Sequence, residues 1–177
     1  MDIKIERIYL RTIGKEFIEF NRAVHQNQAR LEPWFWWANI GKTRKFYFIC
    51  LDAFFNKLAK IMPDLPRNKK FIIRIDGRFG GMIGLDGIYR GAPRPEVWMF
   101  LTQENEGRGI ATHAIEWATK YAESQSCKTV RARTNWDNLR ARVPLLNNGF
   151  EVYDTEYYVD EHILWYEKVL CNKSIEK

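Results

Sequence analysis

The sequence predicts a single mixed α/β domain built on one central sheet. Three observations carry this expectation. The 177 residues fit one domain at roughly 100–200 residues each, and 46% apolar with 15% aromatic content supplies a core. Apolar positions switch along the chain between strand and helix spacing. No internal repeat, low-complexity tract or linker interrupts that alternation. The same balance excludes disordered and collagen-like classes.

Residues 3–12 alternate as a strand and are followed by Gly14. From Lys15 to about Leu31, Phe17, Ile18, Phe20, Ala23 and Val24 recur at helical spacing, and Pro33 ends that helix. The aromatic run Trp34-Phe35-Trp36-Trp37 follows. A second helix is predicted from Thr43, a plausible N-cap, to about Ile61, and Pro63 and Pro66 mark a loop. Phe71–Ile75 and Gly81–Ile88 read as strands joined in a hairpin through Asp76-Gly77. A third strand, Glu96–Leu101, follows the Pro93/Pro95 turn. After Gly107-Arg108-Gly109 the period changes, and Ile110, Ala111, Ala114, Ile115, Trp117, Ala118, Tyr121 and Ala122 form one helical stripe. Thr129–Thr134 reads as a strand. Asn138–Leu146 reads as a helix closed by Asn147-Asn148-Gly149. Strands near Phe150–Tyr153 and Ile163–Leu170 complete the order β-α-α-β-β-β-α-β-α-β-β. Residues 172–177 are expected to form a disordered tail.

The longest strictly apolar run, Phe46–Leu51, is far below the ~18 residues of a membrane helix, so no membrane partner is expected. Asp2, Lys4, Glu6 and Arg7 occupy the stretch where a signal peptide would be apolar. Cys50, Cys127 and Cys171 show no CxxC or zinc spacing, so they read as reduced thiols, with no metal site. A soluble, cytoplasmic protein is the expectation. Residues 1–90 hold 17 Lys+Arg against 9 Asp+Glu, whereas residues 91–177 hold 11 against 13. The basic half permits nucleic-acid binding, but no RNP-like strand or recognition helix accompanies it, and nucleic acid is not expected as the partner. Glu151 to Glu167 holds six carboxylates and no Lys or Arg.

The segment richest in chemistry runs strand, glycine turn, helix: Glu96–Leu101, then Gly107-Arg108-Gly109, then Ile110-Ala111-Thr112. Free N–H groups and the dipole at a helix N-terminus favour an anion, and glycines let it approach the backbone. Ile110 and Ala111 follow Gly109 where a Walker loop would carry Lys, so a P-loop nucleotidase is not expected.

These residues resemble the coenzyme A pyrophosphate loop of the GNAT N-acetyltransferases, most nearly their RimJ/RimL branch, which acetylates protein N-termini. Leu31-Glu32-Pro33-Trp34, the Phe71–Gly87 hairpin, Asn138 through Gly149-Phe150, and Leu164-Trp165-Tyr166-Glu167 resemble further segments of that branch, in order and over nearly the whole chain. The resemblance implies a single GNAT domain over residues 1–177, with a central, mixed, mostly antiparallel twisted sheet flanked by helices. It implies acetyl-CoA as cosubstrate, held by Phe100, Leu101, Gly107, Arg108, Gly109, Ile110, Ala111, Thr112 and Asn138. Glu96 takes the position of the base, and a backbone N–H near Met99 or Phe100, where the family strand bulges, takes that of the oxyanion donor. Trp34, Trp36 and Trp37 are candidates to wall the acceptor slot. Asp154 and Glu156 fall in the connection between the last two strands, which borders that slot in the family. The sequence also departs from the pattern. Glu106 replaces Gln or Arg and is expected to point outward; Ala141 replaces a Ser; Leu145 replaces the Tyr general acid of many GNAT enzymes, which leaves the acid unassigned.

The expected function is acetyl transfer to a primary amine on a protein or peptide N-terminus, a cationic acceptor being favoured by the acidic stretch. A small amine such as a polyamine, aminoglycoside or amino acid is the alternative. A silent CoA-binding module and a basic nucleic-acid-binding module are further ones. Either a monomer or a homodimer is compatible with the sequence.

Overall fold

The computed structural model describes residues 1–7, 13–33, 68–89, 91–158 and 161–170. The expected helix from Thr43 to Ile61, its flanking Pro63/Pro66 loop, Trp34, Trp36 and Trp37, and the tail at 172–177 lie outside the described residues.

The described elements run β1 (Ile3–Arg7), α1 (Ile13–Gln26), α2 (Gln28–Leu31), β2 (Lys69–Ile75), β3 (Arg78–Asp86), β4 (Glu96–Leu101), α3 (Ile110–Ser124), β5 (Thr129–Asn135), α4 (Leu139–Asn147), β6 (Glu151–Tyr157) and β7 (His162–Val169). Seven strands form one sheet in the order β1-β2-β3-β4-β5-β7-β6. Every neighbouring pair is antiparallel except β4 with β5, which is parallel. This is the α/β domain on one central sheet that the sequence predicts, with the mixed, mostly antiparallel pairing that the family resemblance implies.

Strand β2 carries apolar side chains on both of its faces because both are covered, with Phe71, Ile72, Ile73 and Ile75 all buried. Asp76 and Gly77 both have positive φ, at 49° and 77°, the pairing a two-residue hairpin turn demands. The alternation of side chains then sorts the core into two clusters. One face carries Phe71, Ile73, Ile83, Leu85, Val97, Val130, Ala132 and Tyr166 against Ile110, Ala114, Ile115, Ala118 and Ala122 of α3 and Leu145 of α4. The other face carries Ile72, Met82 and Phe100 against Phe20, Val24 and Leu31 of α1 and α2.

The sequence pattern reads one helix from Lys15 to Leu31; the structure breaks it at Asn27. The Asn27 side chain donates to the Ala23 carbonyl at 2.8 Å and accepts from the Gln103 amide at 3.0 Å. An Asn that serves the backbone on both sides competes with the helical ladder. The break ties the helical layer to the segment that follows β4.

Candidate active site

Two features of β4 create an opening in the sheet. Toward β3 its register runs unbroken from Gly81↔Leu101 to Asp86↔Glu96. Toward β5 it registers at a single pair, Glu96↔Arg131, with Arg131 N donating to Pro95 O at 2.9 Å. Beyond that pair the ladder stops, so residues 97–101 of β4 part from β5. Thr102 N donates to Gly80 O, and alternation therefore turns the backbone of Phe100 and Trp98 toward β3 and that of Val97 and Met99 toward the gap. The expected bulge near Met99 and Phe100 is not found in the β3–β4 ladder, and Met99, not Phe100, presents its amide to the opening. The Phe100 side chain packs on Phe20 with ring centroids 6.0 Å apart. Phe100 thus lies behind the opening rather than in it.

At the far end of the gap lies the glycine turn. Gly107 and Gly109 have φ of 68° and 75°, and a Cβ at either would meet no atom within 4 Å. The backbone conformation requires glycine there, and the surface above it is open. Gly109 N-caps α3 without a side-chain hydrogen bond, and the first helical bond is His113 N to Gly109 O. The amides of Ile110, Ala111 and Thr112 consequently end the helix unpaired. The Ile110 side chain is fully buried in the core and Leu101 nearly so, so either can serve a ligand through its backbone alone. Arg108 is exposed; its Nη1 donates to Asn105 Oδ1 at 2.9 Å. Beside it, a cavity of about 350 Å³ is lined by Arg78, Phe79 and Arg108 among others.

Glu106 corrects an expectation. It turns inward rather than outward, and its carboxylate accepts from Arg30 of α2 and, at 3.0 Å, from Arg140 of α4. Arg30 also donates to Leu101 O at 2.6 Å and to Asn27 Oδ1 at 3.1 Å. Two guanidinium groups offset the carboxylate beside the anion-favouring turn and strap that turn to the helical layer. Asn138 caps α4, its Oδ1 accepting from Ala141 N at 3.3 Å. Leu145 is buried in the core and supplies no proton donor.

Glu96 opens β4 on the face opposite α3. Its carboxylate lies 3.3 Å from Arg133 Nε. Burial pushes its pKa up, Arg133 opposes that, and the neighbouring carboxylate of Asp86 adds to it. Asp86 is itself pushed up by burial while accepting from Trp98 Nε1 at 3.1 Å. The missing side chain at Gly84 makes this possible, since a Cβ there would meet the Trp98 ring at 2.3 Å. A desolvated carboxylate with a raised pKa is suited to take a proton near neutral pH.

The register extends the Glu96 face across β5 and β7. Arg131 pairs Glu167, and Arg133 pairs Trp165. The two guanidinium carbons lie 5.5 and 5.3 Å from the Trp165 ring centroid. Asp154 and Glu156 are not brought to Glu96. They belong to strand β6 rather than to the connection that follows it, and β5 and β7 separate them from β4. At about 4.8 Å per strand that is about 14 Å. Arg131, Arg133, Asp86 and Trp165 escaped the sequence reading, although the period-2 pattern Val130-Arg131-Ala132-Arg133 already turns both arginines away from the core. Among the described residues no cluster of His, Cys, Asp or Glu could hold a metal ion, and no helix is long and apolar enough to cross a membrane.

Residues 7–151 match the family model of the acetyltransferase (GNAT) domain. No curated protein matches the chain in sequence. The fold is similar to that of RimL, a ribosomal-protein α-N-acetyltransferase solved with coenzyme A, with a TM-score of 0.77 at 14% identity over 95% of this chain and 94% of that one. It is similar to Mycobacterium smegmatis RimJ, solved with a CoA disulfide, with a TM-score of 0.75 at 18% identity over 99% and 84%. An aminoglycoside acetyltransferase in complex with coenzyme A gives 0.66 at 13% identity over 95% of each chain.

Proposed function

The chain belongs to the GNAT acetyltransferase family, and we propose that it transfers the acetyl group of acetyl-CoA to the α-amine of a protein or peptide N-terminus. The observation that carries this reading is the opening between β4 and β5, with unpaired helix amides at one end and the raised carboxylate of Glu96 at the other.

Acetyl-CoA supplies an activated thioester and a thiolate that leaves readily, a thiol pKa being near ~8.5. The amides of Ile110, Ala111 and Thr112, the exposed backbone at Gly107 and Gly109, and Arg108 receive its diphosphate at the positive end of α3. The Met99 amide, turned into the gap, donates to the thioester oxygen as charge develops on it. Glu96 accepts the proton that the amine loses as its nitrogen bonds to the acetyl carbon and the carbon–sulfur bond breaks. Leu145 offers no general acid, and a stable thiolate makes one dispensable. Asn138 lies at the start of α4 with its Oδ1 committed to the cap, so its amide nitrogen is the group left for the cosubstrate.

An α-amine, with pKa near ~8 against ~10.4 for Lys, suits a carboxylate base. The likeness to RimL and RimJ supports an N-terminal acceptor. Asp154 and Glu156 favour cationic acceptors through their field from the sheet edge rather than by contact. The likeness to an aminoglycoside acetyltransferase supports a second reading, a small amine. Thiol release from acetyl-CoA across N-terminal peptides, polyamines and aminoglycosides separates them. Peptides turning over with the highest kcat/KM is the expected result; turnover confined to polyamines or aminoglycosides would reject the N-terminal reading.

A further inference from the structure

Three side-chain atoms on the Glu96 face are buried and make no hydrogen bond: Arg131 Nε, Trp165 Nε1 and Glu167 Oε1. The cross-strand pairs Glu96↔Arg131 and Arg131↔Glu167 set Glu96, Arg131 and Glu167 in one row across β4, β5 and β7, and Trp165 stands two residues along β7 from Glu167. Other charged groups among the described residues of the face have partners. Arg133 lies 3.3 Å from Glu96, Asp86 accepts from Trp98, and Asp154 accepts from its neighbour Thr155 N at 2.8 Å. Arg94 Nε stands 3.5 Å from Glu167 Oε1, which offsets the charge without forming a hydrogen bond. Arg131 Nη1 reaches Tyr153 Oη at 3.4 Å, and its guanidinium lies over Trp165. Buried polar atoms are paired in almost every native structure, so three orphans on one face, beside the proposed base, call for a ligand.

The unmet demand is two donors and one acceptor. A carbonyl oxygen has two lone pairs and satisfies both donors; an adjoining N–H satisfies the acceptor. In an extended chain the N–H and C=O of one residue lie on the same side, so that combination is one residue of a peptide backbone. We propose that Arg131, Trp165 and Glu167 bind the first peptide linkages of the acceptor, whose chain crosses β5 and β7 from an amine held at Glu96. Arg131 and Trp165 donate to a carbonyl, and Glu167 accepts from an N–H. Strand spacing of about 4.8 Å against a rise of about 3.4 Å per residue places Glu167, two strands from Glu96, within the first three residues of an extended peptide. The same arithmetic sets the acidic edge strand β6 about four residues from the N-terminus. This inference rests on the N-terminal reading above and deepens it, because polyamines and aminoglycosides carry no peptide unit.

The test uses two short acceptor peptides identical except that the first linkage is an amide in one and an ester in the other. Loss of one N–H raises KM for the ester about tenfold with kcat largely kept, as expected for a hydrogen bond to a charged acceptor. Trp165→Phe, which keeps a ring under the arginines, raises KM for the amide peptide by a similar factor and leaves KM for acetyl-CoA unchanged. Arg131→Lys is the second route to the same loss should the Phe variant misfold. Glu167→Leu abolishes the amide–ester difference. Equal KM for the two peptides with the parent enzyme, or parent KM values in both folded donor variants, would overturn the proposal while leaving peptide acetylation standing. Turnover of small amines with neither peptide would overturn the N-terminal reading and this one together.

Discussion

Gly109→Ala isolates the role of the turn that opens α3. At φ of 75° an alanine is strained, by about 1–2 kcal/mol, and the smaller conformational freedom of the unfolded variant returns part of that. A Cβ at Gly109 meets nothing within 4 Å, so no packing loss is added. The net loss is about 1 kcal/mol, which for a domain of this size lowers Tm by about 2–4 °C. Gly91→Ala is the matched control, because Gly91 has φ of 74°, equally open surroundings and no part in the turn. Acetyl-CoA at a hundred times its Kd should stabilise the parent and Gly91→Ala by about 2.7 kcal/mol. It should stabilise Gly109→Ala far less, since the new methyl stands where the diphosphate meets the backbone. Thermal unfolding of the three proteins with and without acetyl-CoA reads both quantities. Equal ligand shifts in the two folded variants would refute the assignment of the turn.

Glu96→Gln should lower kcat most near pH 7 and recover part of it at high pH, where the amine loses its proton unaided. Because burial raises the Glu96 pKa, the folded protein holds that proton more tightly than the unfolded chain, and the charged form weakens the fold as pH rises through the shifted value. Glu96→Gln should therefore match the parent at low pH and equal or exceed its stability at neutral pH, which denaturant unfolding at pH 4 and pH 7 measures. Glu106→Gln keeps an acceptor between Arg30 and Arg140 but releases their charge. KM for acetyl-CoA should fall severalfold and depend more steeply on salt; an unchanged KM at both low and high salt would separate Glu106 from the cosubstrate site.

The elements that were legible in advance are those whose cause is local. Strand β4 begins and ends at the predicted Glu96 and Leu101, because the Pro93/Pro95 turn precedes it and the glycine turn follows. The hairpin follows from Asp76-Gly77, a dipeptide that tolerates two positive φ angles in succession. The break at Asn27 was not legible. Phe17, Phe20, Val24 and Leu31 keep the helical period through it, and its cause lies in Gln103, 76 residues away.

The same distinction divides the site. Positive φ at Gly107 and Gly109 is a property of single residues, so the turn that opens α3 could be read from Gly107-Arg108-Gly109 between a strand pattern and a helix pattern. The face that carries Glu96 depends on an event that no local pattern records: β7 inserts between β5 and β6, and β4 meets β5 in parallel. That order sends the acidic stretch of β6 to the sheet edge. It also sets Arg131 beside Glu96 and Trp165 beside Arg133. A charge map drawn along the chain points to the carboxylates; the register sets two arginines and a tryptophan nearer to Glu96. Arg131→Lys and the paired change Asp154→Asn with Glu156→Gln should therefore separate in kind. The first acts on KM for peptide acceptors at any ionic strength, through a lost hydrogen bond. The second acts through a field that a Debye length of about 8 Å at physiological salt screens over the 14 Å or so from β6 to β4. A loss in the paired variant that persisted undiminished at high salt would return the carboxylates to direct contact with the acceptor.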